Sequence, residues 1–181
     1  PTMSSTTPTN PWPLPELTRA RRAIVVVDVV ESVRLMQEDE AGFIDRWRRF
    51  VHEVRSEVLP KHGGRMVKSL GDGMLLEFAS ASPAVSAAIA IQQWATQASG
   101  METSHLPIGL RMGVHETEVV ADDLDIYGHG VNLAARIASL ARSGEIIASA
   151  DARDALIVGI DADIDDLGEC YVKHLSQPVR A

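Results

Sequence analysis

Two aspartates stand out before any element is assigned. Asp28 interrupts the apolar run Ile24-Val25-Val26-Val27-Asp28-Val29-Val30, and Asp72 sits between Gly71 and Gly73. A carboxylate inside so apolar a run is costly unless it is paired or holds a cation. Asp beside Gly in a turn is routine, so Asp72 alone carries no signal. Two such carboxylates brought together are hard oxygen donors suited to Mg2+ or Mn2+, with phosphates and water completing the shell. Such a site can activate a hydroxyl and neutralise phosphates during phosphoryl transfer. The bland alternatives are a turn residue for Asp72 and a helix cap for Asp28. The pair favours the metal.

Other polar residues are weaker signals by themselves. Asn132 and Arg136 are four apart, so on a helix they share a face; taken alone they read as a cap neighbour and a surface charge. Lys68 alone reads as a solvated strand residue. His115-Glu116 invites a metal reading, but the spacing fits no metal-binding helix and the segment reads as strand, which favours a structural role. His129 reads as a helix-start residue, and Trp47 and Trp94 stand at core spacing.

The elements that must position the aspartates follow from periodicity. Ala23–Val30 is the β-branched run of a central strand buried on both faces. From Glu38 to Leu59, Phe43, Trp47, Phe50, Val54 and Val58 recur at three and four, the stripe of an amphipathic helix, and His62-Gly63-Gly64 stops it. Arg65–Leu70 and Met74–Phe78 are short strands flanking the hairpin turn Gly71-Asp72-Gly73. Phe78–Met101 carries no charge, yet Pro83, Gln92, Gln93 and Gln97 make it an Ala-rich helix packed on a sheet rather than a membrane span. A strand at Ile108–Val120, a helix at Gly128–Ala141 ended by Gly144, and a strand at Glu145–Ala148 follow, with two weaker strands in Asp163–Leu175.

Strand, helix, hairpin, helix, strand is a split β-α-β order. It predicts an α+β, ferredoxin-like (βαββαβ) antiparallel sheet with helices packed on it and extra C-terminal strands. In that topology the first and second strands are parallel with the third inserted between them, so their C-terminal ends share one sheet edge. Asp28 and Asp72, distant in sequence, should meet there.

Composition bounds the rest. The 181 residues carry 17 Lys+Arg against 25 Asp+Glu, a net charge of -8, which argues against duplex nucleic acid or an anionic membrane as partner. One domain is the default at this length. Cys170 is the single cysteine, so no internal disulfide forms and a reducing, cytoplasmic setting is expected. Pro1, Pro8, Pro11, Pro13 and Pro15 crowd residues 1–20, which read as a disordered arm; the globular domain is expected over 21–181. No signal peptide is visible.

Four segments together resemble the class III adenylate/guanylate cyclase catalytic domain, of the bacterial adenylate cyclase type. They are Val27-Asp28-Val29-Val30 with Arg34-Leu35-Met36, Val67-Lys68-Ser69-Leu70-Gly71-Asp72-Gly73, Asp125-Ile126-Tyr127-Gly128, and Val131-Asn132-Leu133-Ala134-Ala135-Arg136. The tail, Leu167-Gly168 through Lys173 to Pro178-Val179-Arg180, also fits, so the likeness covers the whole globular part.

The resemblance implies that Asp28 and Asp72 bind two divalent ions, Mg2+ or Mn2+, with help from the Val29 carbonyl. It implies that Lys68 and Asp125 read the purine, that Asn132 orients the ribose, and that Arg136 stabilises charge on the attacked α-phosphate. Lys173 would contact the terminal phosphates. The implied activity is an adenylate cyclase converting ATP to 3′,5′-cyclic AMP and pyrophosphate in a site shared across a head-to-tail homodimer. After Asp28 the family usually shows Gly and then an aromatic; here Glu31 and Ser32 stand, and Thr117 replaces a common Gly. The alternative is a cyclase-like regulatory or nucleotide-sensing module with weak or no turnover. A diguanylate cyclase is disfavoured because its Gly-Gly-(Asp/Glu)-Glu-Phe turn is missing. The chain stops where the family continues into a short strand, so a fragment of a longer protein with its regulatory domain elsewhere is expected.

Overall fold

The computed structural model describes residues 16–101, 108–154, 167–170 and 179–181. Its centre is β1 (Thr18–Val29). One flank pairs antiparallel with β3 (Gly73–Phe78), from Ala23 opposite Phe78 to Asp28 opposite Gly73. The other pairs antiparallel with β4 (Leu110–Ala121), from Thr18 opposite Ala121 to Val29 opposite Leu110. With β2 (Arg65–Ser69) and β5 (Ile126–Tyr127) the order is β2-β3-β1-β4-β5, and β6 (Ile146–Ala148) joins β4 in parallel. β1 and β2 are therefore parallel with β3 between them, the split arrangement the sequence predicts.

Alternation along β1 divides its side chains between two faces. Ala23, Val25, Val27 and Val29 pack with α1 (Ser32–Glu53) and α3 (Ala81–Met101) in the main core. Ile24 and Val26 belong to the opposite face, with Leu75, Val119 and Ala134. There α4 (His129–Leu140) lies against β4 so closely that a Cβ on Gly113 would collide with the backbone of Ala134 and Ala138. Only glycine permits that approach, and it sets the height of α4 over the sheet.

Several boundaries differ from the periodicity. The first helix begins at Ser32, not Glu38, because only Ser32 and Leu35 are buried in its opening turns and no stripe forms there. The helix breaks at Asp39 (φ -157, ψ 82), whose Oδ1 accepts from the Gly42 N–H at 3.0 Å and restarts it. It then widens into a π turn, Val54–Val58, before α2 (Leu59–His62), where Pro60 cannot donate to a carbonyl four residues back. β1 begins at Thr18, before Arg21, so residues 18–20 belong to the sheet; residues 1–15 of the expected arm lie outside the described residues. α4 ends at Leu140, and Gly144 (φ +87) instead turns the chain into β6, its N–H donating to the Leu110 carbonyl at 2.7 Å.

The short helix α5 (Ala150–Asp154) follows β6. At the end of the chain β7 (Glu169–Cys170) pairs with β8 (Val179–Arg180). The remaining positions of the two expected late strands, and Lys173, lie outside the described residues. No helix among the described residues is long and apolar enough to cross a membrane.

Candidate active site

Backbone pairing brings the two aspartates to one edge. Asp28 stands opposite Gly73 on one side and Arg111 on the other, and the Val29 N–H donates to the Asp72 carbonyl at 2.9 Å. The charge inside the apolar run is paired: Arg111 gives both Nε (2.7 Å) and Nη2 (2.6 Å) to Asp28 Oδ2. The other oxygen, Oδ1, lies 4.0 Å from where a Gly73 Cβ would stand, on the side of the Asp72 turn. Asp72 Oδ2 accepts from the Ser32 hydroxyl at 2.7 Å. The turn itself is tied down by Leu70 N–H to Gly73 carbonyl (2.7 Å) and by the Trp47 indole N–H to Leu70 carbonyl (3.1 Å).

Between β1 and α1 the chain reverses through Glu31, whose φ of 56 and ψ of 33 make it the only non-glycine with positive φ among the described residues. The left-handed conformation costs a residue with a Cβ about 1–2 kcal/mol. The Glu31 carbonyl accepts the Leu35 N–H at 3.0 Å, and its carboxylate is turned onto Arg34 at 2.8 Å, which also holds Glu38 at 2.8 Å. The acidic group at this departure from the family pattern is thus compensated locally. Thr117, the other departure, fills the space left by Gly130, where a Cβ would collide with it.

A second polar pair forms between the two ends of the sheet. Lys68 Nζ donates to Asp125 Oδ2 at 2.7 Å. In a flat sheet, strands β2 and β5 would stand four spacings, roughly 19 Å, apart. Their contact requires the sheet to curl. A register shift between Met66 and Lys68 bulges β2 at that point, a device common beside binding sites. Asp125 is held by its neighbours: Asp122 Oδ1 accepts the Leu124 and Asp125 N–H groups, each at 2.8 Å, and Asp125 Oδ1 accepts the Ile126 N–H at 2.8 Å. The Lys68 hydrogen bond holds the Asp125 carboxyl below its ordinary range, and the two backbone N–H groups do the same for Asp122.

Asn132 is exposed and Arg136 half-buried, one turn apart on α4. His115 and Glu116 do structural work, as their strand setting predicts. His115 Nδ1 pairs with Ser149 Oγ at 2.7 Å, and burial pushes its pKa down. Glu116 accepts from Arg21 Nε (2.7 Å) and from the Ala81 N–H (2.8 Å) at the start of α3.

A family model described as the adenylate and guanylate cyclase catalytic domain matches residues 20–179. The chain belongs to that family. This cyclase domain is 36% identical over 165 residues to a Rhizobium meliloti protein named "Putative adenylate cyclase 3", covering 89% of this chain and 27% of the relative. A Streptomyces coelicolor adenylate cyclase is 29% identical, over 81% of this chain and 37% of its own length. The domain thus spans about a third or less of these two curated relatives. Among solved structures, the adenylate/guanylate cyclase/hydrolase from Silicibacter pomeroyi superposes with a TM-score of 0.81 at 30% identity, covering 91% of this chain and 96% of that one. The adenylyl cyclase CyaB from P. aeruginosa gives 0.80 at 26% identity, covering 91% and 93%.

The donor chemistry fits a hard divalent cation. Asp28 and Asp72 stand at one edge, and each has its Oδ2 bonded by a protein donor, Arg111 for the first and Ser32 for the second. No group of three or more His, Cys, Asp or Glu able to hold a metal stands among the described residues, so phosphates and water would complete the shell. Sequence reasoning missed Arg111 and Ser32. For Arg111 the signal was present: a lone cation in an otherwise apolar stretch of strand. Ser32 had no signal beyond its departure from the family pattern.

Proposed function

We propose that this domain is an adenylate cyclase that closes ATP to 3′,5′-cyclic AMP and pyrophosphate. In this reaction the ribose 3′-oxygen forms a bond to the α-phosphorus, the bond from that phosphorus to the pyrophosphate oxygen breaks, and the hydroxyl proton is lost. Mg2+ or Mn2+ held by Asp28, Asp72 and the Val29 carbonyl would supply acidification of that hydroxyl and neutralisation of phosphate charge. The chain's own groups bind and orient. Asn132 holds the ribose, and Arg136, a planar fork that is always charged, stabilises the developing negative charge on the α-phosphate. Lys173 meets the terminal phosphates.

The observation that carries the choice of base is the Lys68–Asp125 pair at 2.7 Å. Lys68 can only donate and ionised Asp125 can only accept. Adenine offers an acceptor at N1 and a donor amine; guanine offers the reverse. The pair is complementary to adenine and mismatched to guanine.

The site is shared in a head-to-tail homodimer: Asp28 and Asp72 of one protomer face Lys68, Asp125, Asn132 and Arg136 of its partner. Regulation comes from segments outside this chain, as the greater length of its relatives supports, and the domain works in the cytoplasm. A second reading, a cyclase-like module with weak turnover, is favoured by Glu31, a strained acidic residue standing where the family usually shows Gly. Incubating the purified chain with ATP or GTP and Mn2+ decides between them. Cyclic AMP formed from ATP in preference to cyclic GMP supports the first reading; no cyclic nucleotide from dimeric, folded protein supports the second.

A further inference from the structure

We propose that Ser32 is a positioning residue that fixes the carboxylate of Asp72, so that a chosen oxygen, Oδ1, is presented to a divalent cation. This rests on the reading of Asp28 and Asp72 as the metal-binding pair.

The tip of the Gly71-Asp72-Gly73 turn is open, since a Cβ at Gly71 would meet nothing within 4 Å, whereas Gly73 is buried with the Val27 carbonyl 2.9 Å from where its Cβ would stand. Its anchors, from Val29, Leu70 and Trp47, all act on the backbone. None of them touches the Asp72 carboxylate. Among the described residues, the carboxylate is held by one hydrogen bond, from Ser32 Oγ to Oδ2 at 2.7 Å. A hydroxyl bonded to a carboxylate at that distance is a charge-assisted contact, roughly twice as strong as a neutral one. Ser32 is 8% exposed and Asp72 half-buried, so water competes poorly for the serine hydroxyl.

The hydroxyl reaches the turn because of the residue before it. Glu31 turns the chain through the left-handed region, and α1 starts at once with Ser32 over the Asp72 side chain. The strain at Glu31 and the bond at Asp72 are consecutive parts of one arrangement. On the other aspartate Arg111 plays the matching part, occupying Oδ2 and leaving Oδ1 toward the turn. Outer partners of this kind orient a ligand and reduce its rotational freedom before the ion arrives. An aromatic residue at position 32, which the family pattern leads one to expect, carries no hydroxyl on its Cβ. The serine thus supplies a contact that an aromatic side chain there would lack.

The test is Mn2+ affinity, read from the electron paramagnetic resonance signal of free Mn2+ with the non-reacting α,β-methylene analogue of ATP present. Ser32→Ala should weaken Mn2+ binding about 10-fold, the low end of losses seen when an outer partner of a ligand is removed. Ser32→Thr should stay within about 3-fold of the unmodified chain, and Ser32→Val, branched like Thr but lacking the hydroxyl, should match Ala. Thermal unfolding of each variant reports whether packing changed. Equal affinity in Ser32→Thr and Ser32→Val, with Asp72→Asn strongly impaired, would sink the positioning role while leaving the metal-binding reading intact. Unmodified chain and Asp72→Asn binding Mn2+ equally well would remove the metal-binding reading, and this proposal with it.

Discussion

Replacing Lys68 by Met separates a base-reading role from a merely structural one. The Lys68–Asp125 pair is 43% and 28% exposed at its side chains, so as an ion pair it contributes at most about 1 kcal/mol of stability. Met keeps the apolar stem and removes only the ammonium. Facing bound adenine, that loss leaves the N1 acceptor unpaired at about 1–3 kcal/mol, which is roughly 5- to 150-fold in kcat/KM. GTP gains no such penalty, because its N1 is a donor that Lys68 never satisfied. The ratio of kcat/KM for ATP over GTP should therefore fall by that factor while the thermal midpoint barely moves. Initial rates of cyclic AMP and cyclic GMP formation, with a denaturation curve on the same preparation, measure both. The sign of the pH dependence follows from Asp125. Its carboxyl is held below the ordinary range by Lys68, so its contribution is complete above the unfolded value and is lost only as pH falls through the lower folded one. The base preference should be flat around neutral pH. A Lys68→Met domain that keeps its ATP-over-GTP ratio, or loses stability by several kcal/mol instead, would refute the argument.

Three further outcomes are expected. Asp28→Asn should abolish metal-dependent turnover and change folding stability by no more than about 1 kcal/mol, because its pair with Arg111 is 28% and 34% exposed; activity assays alongside chemical denaturation check both halves. Asp72→Ala and Asn132→Ala chains, each inactive alone, should recover turnover when mixed, since one site per heterodimer is then intact; a mixture that forms heterodimers yet stays inactive contradicts the shared site. Glu31→Gly should not destabilise the domain: relief of about 1–2 kcal/mol of left-handed strain offsets the loss of an exposed pair with Arg34 and the greater backbone entropy of glycine, leaving a net gain near 0.5 kcal/mol in a urea titration.

Much of the architecture was legible because it rests on local rules. The apolar run around Asp28 and the Gly-Asp-Gly turn both appear in short windows. So does the stripe from Phe43 to Val58, and their order alone predicts two parallel strands with a third between them. That order brings Asp28 and Asp72 to one edge without any knowledge of side-chain contacts. The start of α1 was not legible, because its opening turns bury only Ser32 and Leu35 and the break at Asp39 restarts the stripe where the periodicity finds it. The contacts that finish the candidate site lay further out of reach. Arg111 meets Asp28 across 83 residues, Lys68 meets Asp125 across 57, and Ser32 meets Asp72 across 40. Periodicity says which face a residue occupies, not which distant residue it will find there. Those partners depend on strand register, on a bulge at Lys68 and on the curl that closes β2 toward β5. These are properties of the packed sheet as a whole, and only the tertiary structure decides them.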